Sequence, residues 1–499
     1  MLDKKMISHT GNTSIYVKIW FLYFSFVFIV ASSIQFIVLP YVFPSLHAGE
    51  GLLVGGDWNT FHKVAVRLAN AIHEQGWNVW QLKPELGLGG SGAVGVAAFF
   101  YVLVAPHPWA LIPLNSVMHA TSAFLLFLLA QRFVKNWRLA SLCSLPFLVY
   151  PSAATWYASL HKDGYSILGM FFVLYGWIAL TEKEAWDSGV LRVCRPLSAI
   201  MLGVILVWSV RHILVQFLFA MGLLVYCIVT LYILFSKSKQ KNKISKKIIC
   251  LFLMWLTIPY MSLFQGPYFY MPTGVSVKED NVELIKKQNG TIDNSIDNSN
   301  VSVSSGVAVG DEKVIEREEL LIRAGWTPTS WMPSSIDGKI FEFTITRRGF
   351  ISIGGGAGTN IDHHIVFGSV SDVLRYLPRA EQIALFSPFP HLWFGEAKQR
   401  SNTMMRRISA IEMLGVYVSL FFLPLSIFYW YQDIRLWIIL VFSNVFLLSH
   451  SLVVANIGTL YRYRYPYLMA LVTIGVAAMM KFIFQRKIAN EGVAFDGSG

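Results

Sequence analysis

Apolar runs long enough to cross a bilayer alternate with short polar joints along most of this chain. A membrane helix needs about 20 apolar residues, or fewer where neighbours shield it. The first run covers 16–43, and Lys4 and Lys5 before it, with Lys18 at its start, set the N-terminus on the inside. Further runs cover 92–106, 109–131, 139–157, 164–181, 197–210, 213–235 and 248–264, and three more follow at 408–431, 436–456 and 464–481. Between the first two runs, Phe61, Val64, Ala65, Leu68, Ala69 and Ile72 recur at helical spacing. That pattern predicts an amphipathic helix over 58–76, lying in the interface plane.

The joints carry a sign. Lysines crowd 236–247, and Arg132, Lys135 and Arg138 form a second basic joint. Lys183, Arg192 and Arg195 form a third, and Lys481, Arg486 and Lys487 a fourth. Basic joints mark the cytoplasmic side. Counting crossings from 236–247 puts 158–163 and 211–212 outside and returns the C-terminus inside. The count leaves one net crossing for 92–131. The glycines of 92–106, with Pro106 and Pro108 after it, predict a partial or re-entrant segment there.

The expected fold is therefore an all-α polytopic membrane protein of about 10–11 membrane segments. An N-terminal membrane module occupies 1–264, with a first outer loop at 44–91. A large mixed extracytoplasmic region occupies 265–407, and a C-terminal module and tail occupy 408–499. Within the outer region, 276–312 reads as a loop, 313–324 and 371–386 as helices, and 340–346 as a strand.

Composition agrees. The chain is 55% hydrophobic and 14% charged, whereas soluble domains carry about 25% charged residues. Its net charge of +12 sits largely in the basic joints, so it does not point to nucleic acid. Cys143, Cys194, Cys227 and Cys250 lie in or beside apolar runs without metal-ligand spacing, which predicts neither zinc nor a disulfide framework.

Ionisable residues gather at the outward ends of the spans. Asp57 follows Gly55-Gly56, and His62 and Lys63 follow it. His161, Lys162 and Asp163 lie between two spans, and Arg211 and His212 interrupt a nearly continuous apolar run. Arg462 and Arg464 sit in Tyr461-Arg462-Tyr463-Arg464-Tyr465-Pro466-Tyr467. A charge at mid-bilayer costs about 2.5–3.5 kcal/mol on insertion scales, so unneeded charges are rare there. Taken singly, each cation has a lesser alternative reading as a snorkelling side chain, and Asp57 reads equally well as a helix cap. Together, several cations beside a carboxylate suit a departing phosphate next to a base. Glu412, at the start of a span, reads either as a functional carboxylate or as a partner of Arg406 or Arg407 at the interface, and the pairing is the favoured expectation. Asp362-His363-His364 reads as a structural or surface feature.

Gly56-Asp57 after the first span, the amphipathic outer helix, His161-Lys162-Asp163 and the Tyr-Arg-Tyr-Arg-Tyr-Pro opening of the last span together resemble the GT-C superfamily. These multi-spanning glycosyltransferases use polyprenyl-phosphate sugars. The resemblance covers about 45–215 and 400–480. It implies that Asp57 is catalytic and that Lys162, Arg211, Arg462 and Arg464 bind the carrier phosphate. His62, His161, Asp163 and His212 join them as expected substrate-binding residues. No metal ligand is assigned and no cofactor is expected for certain. The second outer loop lacks a DxD, which leaves a divalent metal open.

The reading that follows is an inverting glycosyltransferase of the bacterial inner membrane, acting in envelope polysaccharide biosynthesis. Its donor would be a polyprenyl-phosphate sugar, and its acceptor a glycan, lipid or protein outside. Two rivals stand beside it: a polymerase or ligase using polyprenyl-pyrophosphate glycans, and a transporter or non-catalytic assembly subunit.

Overall fold

The computed structural model describes residues 2–84, 91–182, 190–235, 325–353, 360–395 and 400–491. The segments expected at 248–264, 276–312 and 313–324 lie outside them. The described secondary structure is helical throughout, apart from two isolated bridges. Among the described residues, eight helices are long and apolar enough to cross a membrane, or nine if one bent pair counts as a span. The chain is a multi-pass, all-helical membrane protein.

The first span is α1 (Leu2–Ser33), which runs on as a π-helical stretch over Ile34–Val42. Helix α2 (Asp57–Gln75) is the expected amphipathic helix, and it buries Phe61, Ala65, Ala69 and Ile72. It packs on α3 (Gly92–Leu103). At 1.5 Å per residue, the 12 residues of α3 reach only about 18 Å, too short for the hydrocarbon core. The partial segment inferred from the crossing count is this helix.

Helix α4 (Ile112–Val134) is long and apolar enough to cross fully. The single span expected at 139–157 is instead α5 (Trp137–Val149) and α6 (Pro151–Tyr157), bent by 66°. Pro151 starts the second piece, and the residue before a proline is pushed out of helical conformation; Tyr150 is accordingly extended.

Helices α7 (Asp163–Thr181) and α8 (Val190–Val210) pack antiparallel with their backbones close together. A Cβ on Gly169 would stand 2.6 Å from the Gly203 carbonyl, and one on Gly176 would stand 2.7 Å from that of Pro196. In lipid, where burial of apolar surface gives helices no reason to associate, small residues that admit close backbones supply the packing. One consequence is positional: Asp163, opening α7, and Arg211, following α8, emerge side by side.

Helix α9 (His212–Phe235) follows, and the outer region contributes α10 (Ser334–Ile353) and α11 (Val370–Phe386). The helix expected at 371–386 is present; the strand expected at 340–346 is not. Phe341, Phe343 and Ile345 alternate with Glu342, Thr344 and Thr346, which imitates a strand. The buried stripe of α10 is Asp337, Thr344 and Arg347, which recurs at helical spacing but is polar. Asp337 accepts from the Trp326 indole (2.9 Å) and the Thr329 amide (3.1 Å). Trp326 belongs to a second, smaller core with Phe367, Val370, Tyr376 and Ile383.

The bundle closes with α12 (Arg400–Trp430), α13 (Ile434–Val453), the short α14 (Ile457–Tyr463) and α15 (Tyr465–Glu491). Connectivity then puts Asp57, His161–Asp163, Arg211 and α14 at one end of the bundle. Arg132, Glu182, Asp433 and Lys481 lie at the other.

Candidate active site

The site starts at the turn into α2. Gly55 and Gly56 hold φ of +80° and +91°, a region other residues seldom enter. A Cβ on Gly56 would lie 2.5 Å from the Trp58 ring. The Trp58 indole donates to the Leu53 carbonyl (2.7 Å), and the Asn59 amide donates to the same oxygen (3.1 Å). Gly56 occupies the cap position and Asp57 is the first helical residue. Asp57 is therefore not the cap that local sequence suggests. Its side chain is half exposed, and its nearest charged partner is Arg462, with Nη2 3.7 Å from Oδ2.

Behind this entrance lies a buried ionic cluster drawn from three more segments. Asp163, only 3% exposed at its side chain, accepts from the Arg211 guanidinium. Its Oδ2 lies 3.0 Å from His161 Nδ1 and 3.8 Å from Arg462 Nε. Arg462 Nη1 reaches His161 Nε2 at 3.0 Å. A guanidinium only donates, so Nε2 accepts from Arg462, while Nδ1 faces both the Asp163 carboxylate and the Asp163 amide (3.2 Å). Burial, foremost, pulls the His161 pKa below its ordinary 6.5 despite the neighbouring carboxylates. Arg211 also stacks on the Tyr463 ring at 3.8 Å. Trp58 leans on His161 with ring centroids 5.7 Å apart, and Lys162 lies 5.7 Å above the Phe61 ring.

Asp57, His161, Asp163, Arg211 and Arg462 thus converge, and Lys162 lies beside them. Their roles divide by burial. Asp163 and Arg211 are committed to each other in the interior. Asp57 and Arg462, 49% and 20% exposed at their side chains, face the entrance. An electropositive pocket with one outward carboxylate can bind a phosphate and take up a hydroxyl proton.

The remaining expected residues lie elsewhere. Arg464 turns away from Asp57 and is fully buried. It donates to the carbonyls of Ile383 (3.0 Å) and Ala384 (2.6 Å) at the end of α11, and to that of Ser387. Burial lowers its pKa to about 10, so it stays charged at neutral pH. His62 forms a separate group: its Nε2 is 3.0 Å from Glu50 and its Nδ1 2.8 Å from the Tyr101 hydroxyl. His212 is near Lys83. Lys83, which the sequence does not single out, donates to the Trp208 carbonyl (2.8 Å) and lies 3.9 Å over its ring. A lone lysine in a polar loop carries no signal that would have marked it.

Glu412 pairs with neither Arg406 nor Arg407. It is buried and accepts from the Ser152 amide (2.5 Å) and the Tyr461 hydroxyl. Arg406 donates instead to the Gly395 carbonyl (3.1 Å). Asp362 accepts from Tyr376 (2.9 Å) and Arg379 (2.9 Å), a structural role as expected. Among the described residues no three His, Cys, Asp or Glu side chains are placed to hold a metal ion.

No protein-family model and no curated protein matches the chain. Among solved structures, ArnT from Cupriavidus metallidurans in the apo state is similar over 95% of this chain and 78% of that chain. The identity is 13% and the TM-score 0.33. So loose a superposition leaves the functional reading to the geometry of the site.

Proposed function

We propose that this protein is a glycosyltransferase that moves a sugar from a polyprenyl-phosphate donor to a hydroxyl acceptor on the extracytoplasmic face. One observation carries the reading: an outward carboxylate, Asp57, stands beside an accessible guanidinium, Arg462, over the buried Asp163–Arg211 ion pair at one end of the helix bundle. The positive-inside count supports an outward position for this end and cytoplasmic termini, and we read the membrane as a bacterial inner membrane.

The proposed chemistry follows from the charges. The donor's phosphate rests against Arg462 and Lys162. Arg462 already faces a carboxylate, so it exchanges one anion for another as the donor arrives. Asp57 accepts the proton of the acceptor hydroxyl, whose oxygen attacks the anomeric carbon opposite the phosphate and inverts it. The carbon–oxygen bond to phosphate breaks, and Arg462 takes up the charge that develops on the leaving oxygens. Asp163 and Arg211 hold His161 and Arg462 in place. Metal involvement, the sugar and the acceptor's identity stay outside this proposal.

The test is transfer of labelled sugar from a synthetic polyprenyl-phosphate donor in membranes containing Asp57→Asn. Transfer falls by a factor of about 100 or more if Asp57 is the base. Undiminished transfer by a folded variant removes Asp57 from the chemistry.

A further inference from the structure

A buried carboxylate on a lipid-embedded helix calls for a reason, and Glu412 has one in what it holds. Glu412 lies more than three turns into α12, near one end of its membrane span, and is 2% exposed. One carboxylate oxygen takes the Ser152 amide at the opening of α6, and the other takes the Tyr461 hydroxyl on α14. Ser152 is the second residue of α6, where an amide has no partner within its own helix. Glu412 therefore satisfies a helix end that would be left bare in the protein interior, where an unmet backbone group is costly. The bend between α5 and α6 is what creates that bare end.

The other contact reaches the site. Tyr461 is the neighbour of Arg462 on α14, a helix of only seven residues. So short a helix does not hold itself. It is fixed at its start by the Asn456 cap on the Thr459 amide (3.1 Å). Just past its other end, Arg464 is clamped by the carbonyls of Ile383, Ala384 and Ser387. Between the two, the Tyr461–Glu412 bond ties the helix to α12. The Tyr461 ring also packs beneath the Arg464 guanidinium at 5.2 Å.

We infer that Glu412 is a positioning residue: through Tyr461 it fixes α14 and so sets the Arg462 guanidinium between Asp57, His161 and Asp163. The inference rests on the proposed function only for the meaning of Arg462; the placement itself can be read without substrate.

The experiment therefore has two readouts on the full-length protein in detergent. The first is hydrogen exchange over 457–463. Glu412→Ala speeds exchange there by about tenfold, as expected for losing a hydrogen bond to a charged group. Exchange over 434–453 stays as in the parent protein. Glu412→Gln, which keeps an acceptor oxygen for Tyr461, stays within about threefold of the parent. Unchanged exchange at 457–463 in Glu412→Ala overturns the inference, and so does faster exchange in every span. The second readout is binding of a short-chain polyprenyl monophosphate. Glu412→Ala and Arg462→Gln each weaken binding by about tenfold, and the double variant is weaker than Arg462→Gln by less than about twofold, because both act through one guanidinium. Fully additive losses overturn the inference. Parent protein that does not bind this lipid refutes the functional reading alone, and the exchange result still decides the role of Glu412.

Discussion

Each end of the bundle carries an arginine–carboxylate cluster, and the two are built differently. At the end away from Asp57, Arg132 pairs with Glu182 (2.6 Å) and Arg435 pairs with Asp433 (2.6 Å), two residues away. A 3.6 Å contact from Arg435 to Glu182 links the pairs. Lys481 lies over the rings of Tyr429 and Trp430 at 4.5 and 5.1 Å. These charges are partly exposed, and mostly local or matched one to one. They read as an interfacial belt of cations and aromatics. At the Asp57 end, four segments far apart in sequence send Asp57, His161 with Asp163, Arg211 and Arg462 to one point. Three of those groups are desolvated, and one carboxylate points outward. Stability alone does not call for an arrangement like that, since an apolar replacement of a buried ion pair is often no less stable. A charged cluster that is buried, assembled from distant segments and open on one side is what distinguishes a site from an anchor.

The comparison can be broken in several ways. The largest effect is on transfer, where Asp57→Asn lowers the rate by about 100-fold or more, while Glu182→Gln leaves it unchanged; equal losses would erase the distinction between the ends. Next is stability. Asp163→Ala leaves Arg211 buried without its partner and costs about 3–5 kcal/mol, seen as a lower thermal midpoint in detergent. At the turn, Gly56→Ala forces a side chain into positive φ against the Trp58 ring and costs about 1–3 kcal/mol, with transfer falling as Trp58 shifts beside His161.

Acid sharpens the contrast further. His161 has a folded pKa below its unfolded value, so below pH 6.5 the unfolded chain binds more protons than the folded one. Its contribution to stability is intact above 6.5 and is lost as pH falls from there toward the folded pKa. A thermal midpoint followed from pH 7.5 to 5 should drop more steeply in the parent protein than in His161→Asn; parallel curves would show that this histidine is not held neutral. The smallest effect is expected from Glu182→Gln, within about 1 kcal/mol by the same melting measurement.

Much of this was legible in the chain. Runs of about 20 apolar residues announce spans because the bilayer fixes their length. The basic joints fix which ends lie together, and the stripe from Phe61 to Ile72 announces α2. The short α3 followed from an arithmetic mismatch in the crossing count. Failures came where polar residues face inward. The buried stripe of α10 is Asp337, Thr344 and Arg347, so hydropathy missed its helical period. The partner of Glu412 was sought among nearby cations, yet it lies on α6 and α14.

Arg462 and Arg464 show where sequence stops. They are two residues apart in one Tyr-Arg repeat and look equivalent as phosphate ligands. Successive helical residues are turned by about 100°, so two steps carry a side chain about 200° round, to the opposite face. The sequence by itself determined that two arginines would stand at the mouth of the last span, on the same side of the membrane as Asp57. Only the tertiary structure decided that Arg462 meets Asp57 and that Arg464 is spent on the carbonyls ending α11, because the rotation of α14 is set by contacts with α11 and α12 rather than by its own seven residues.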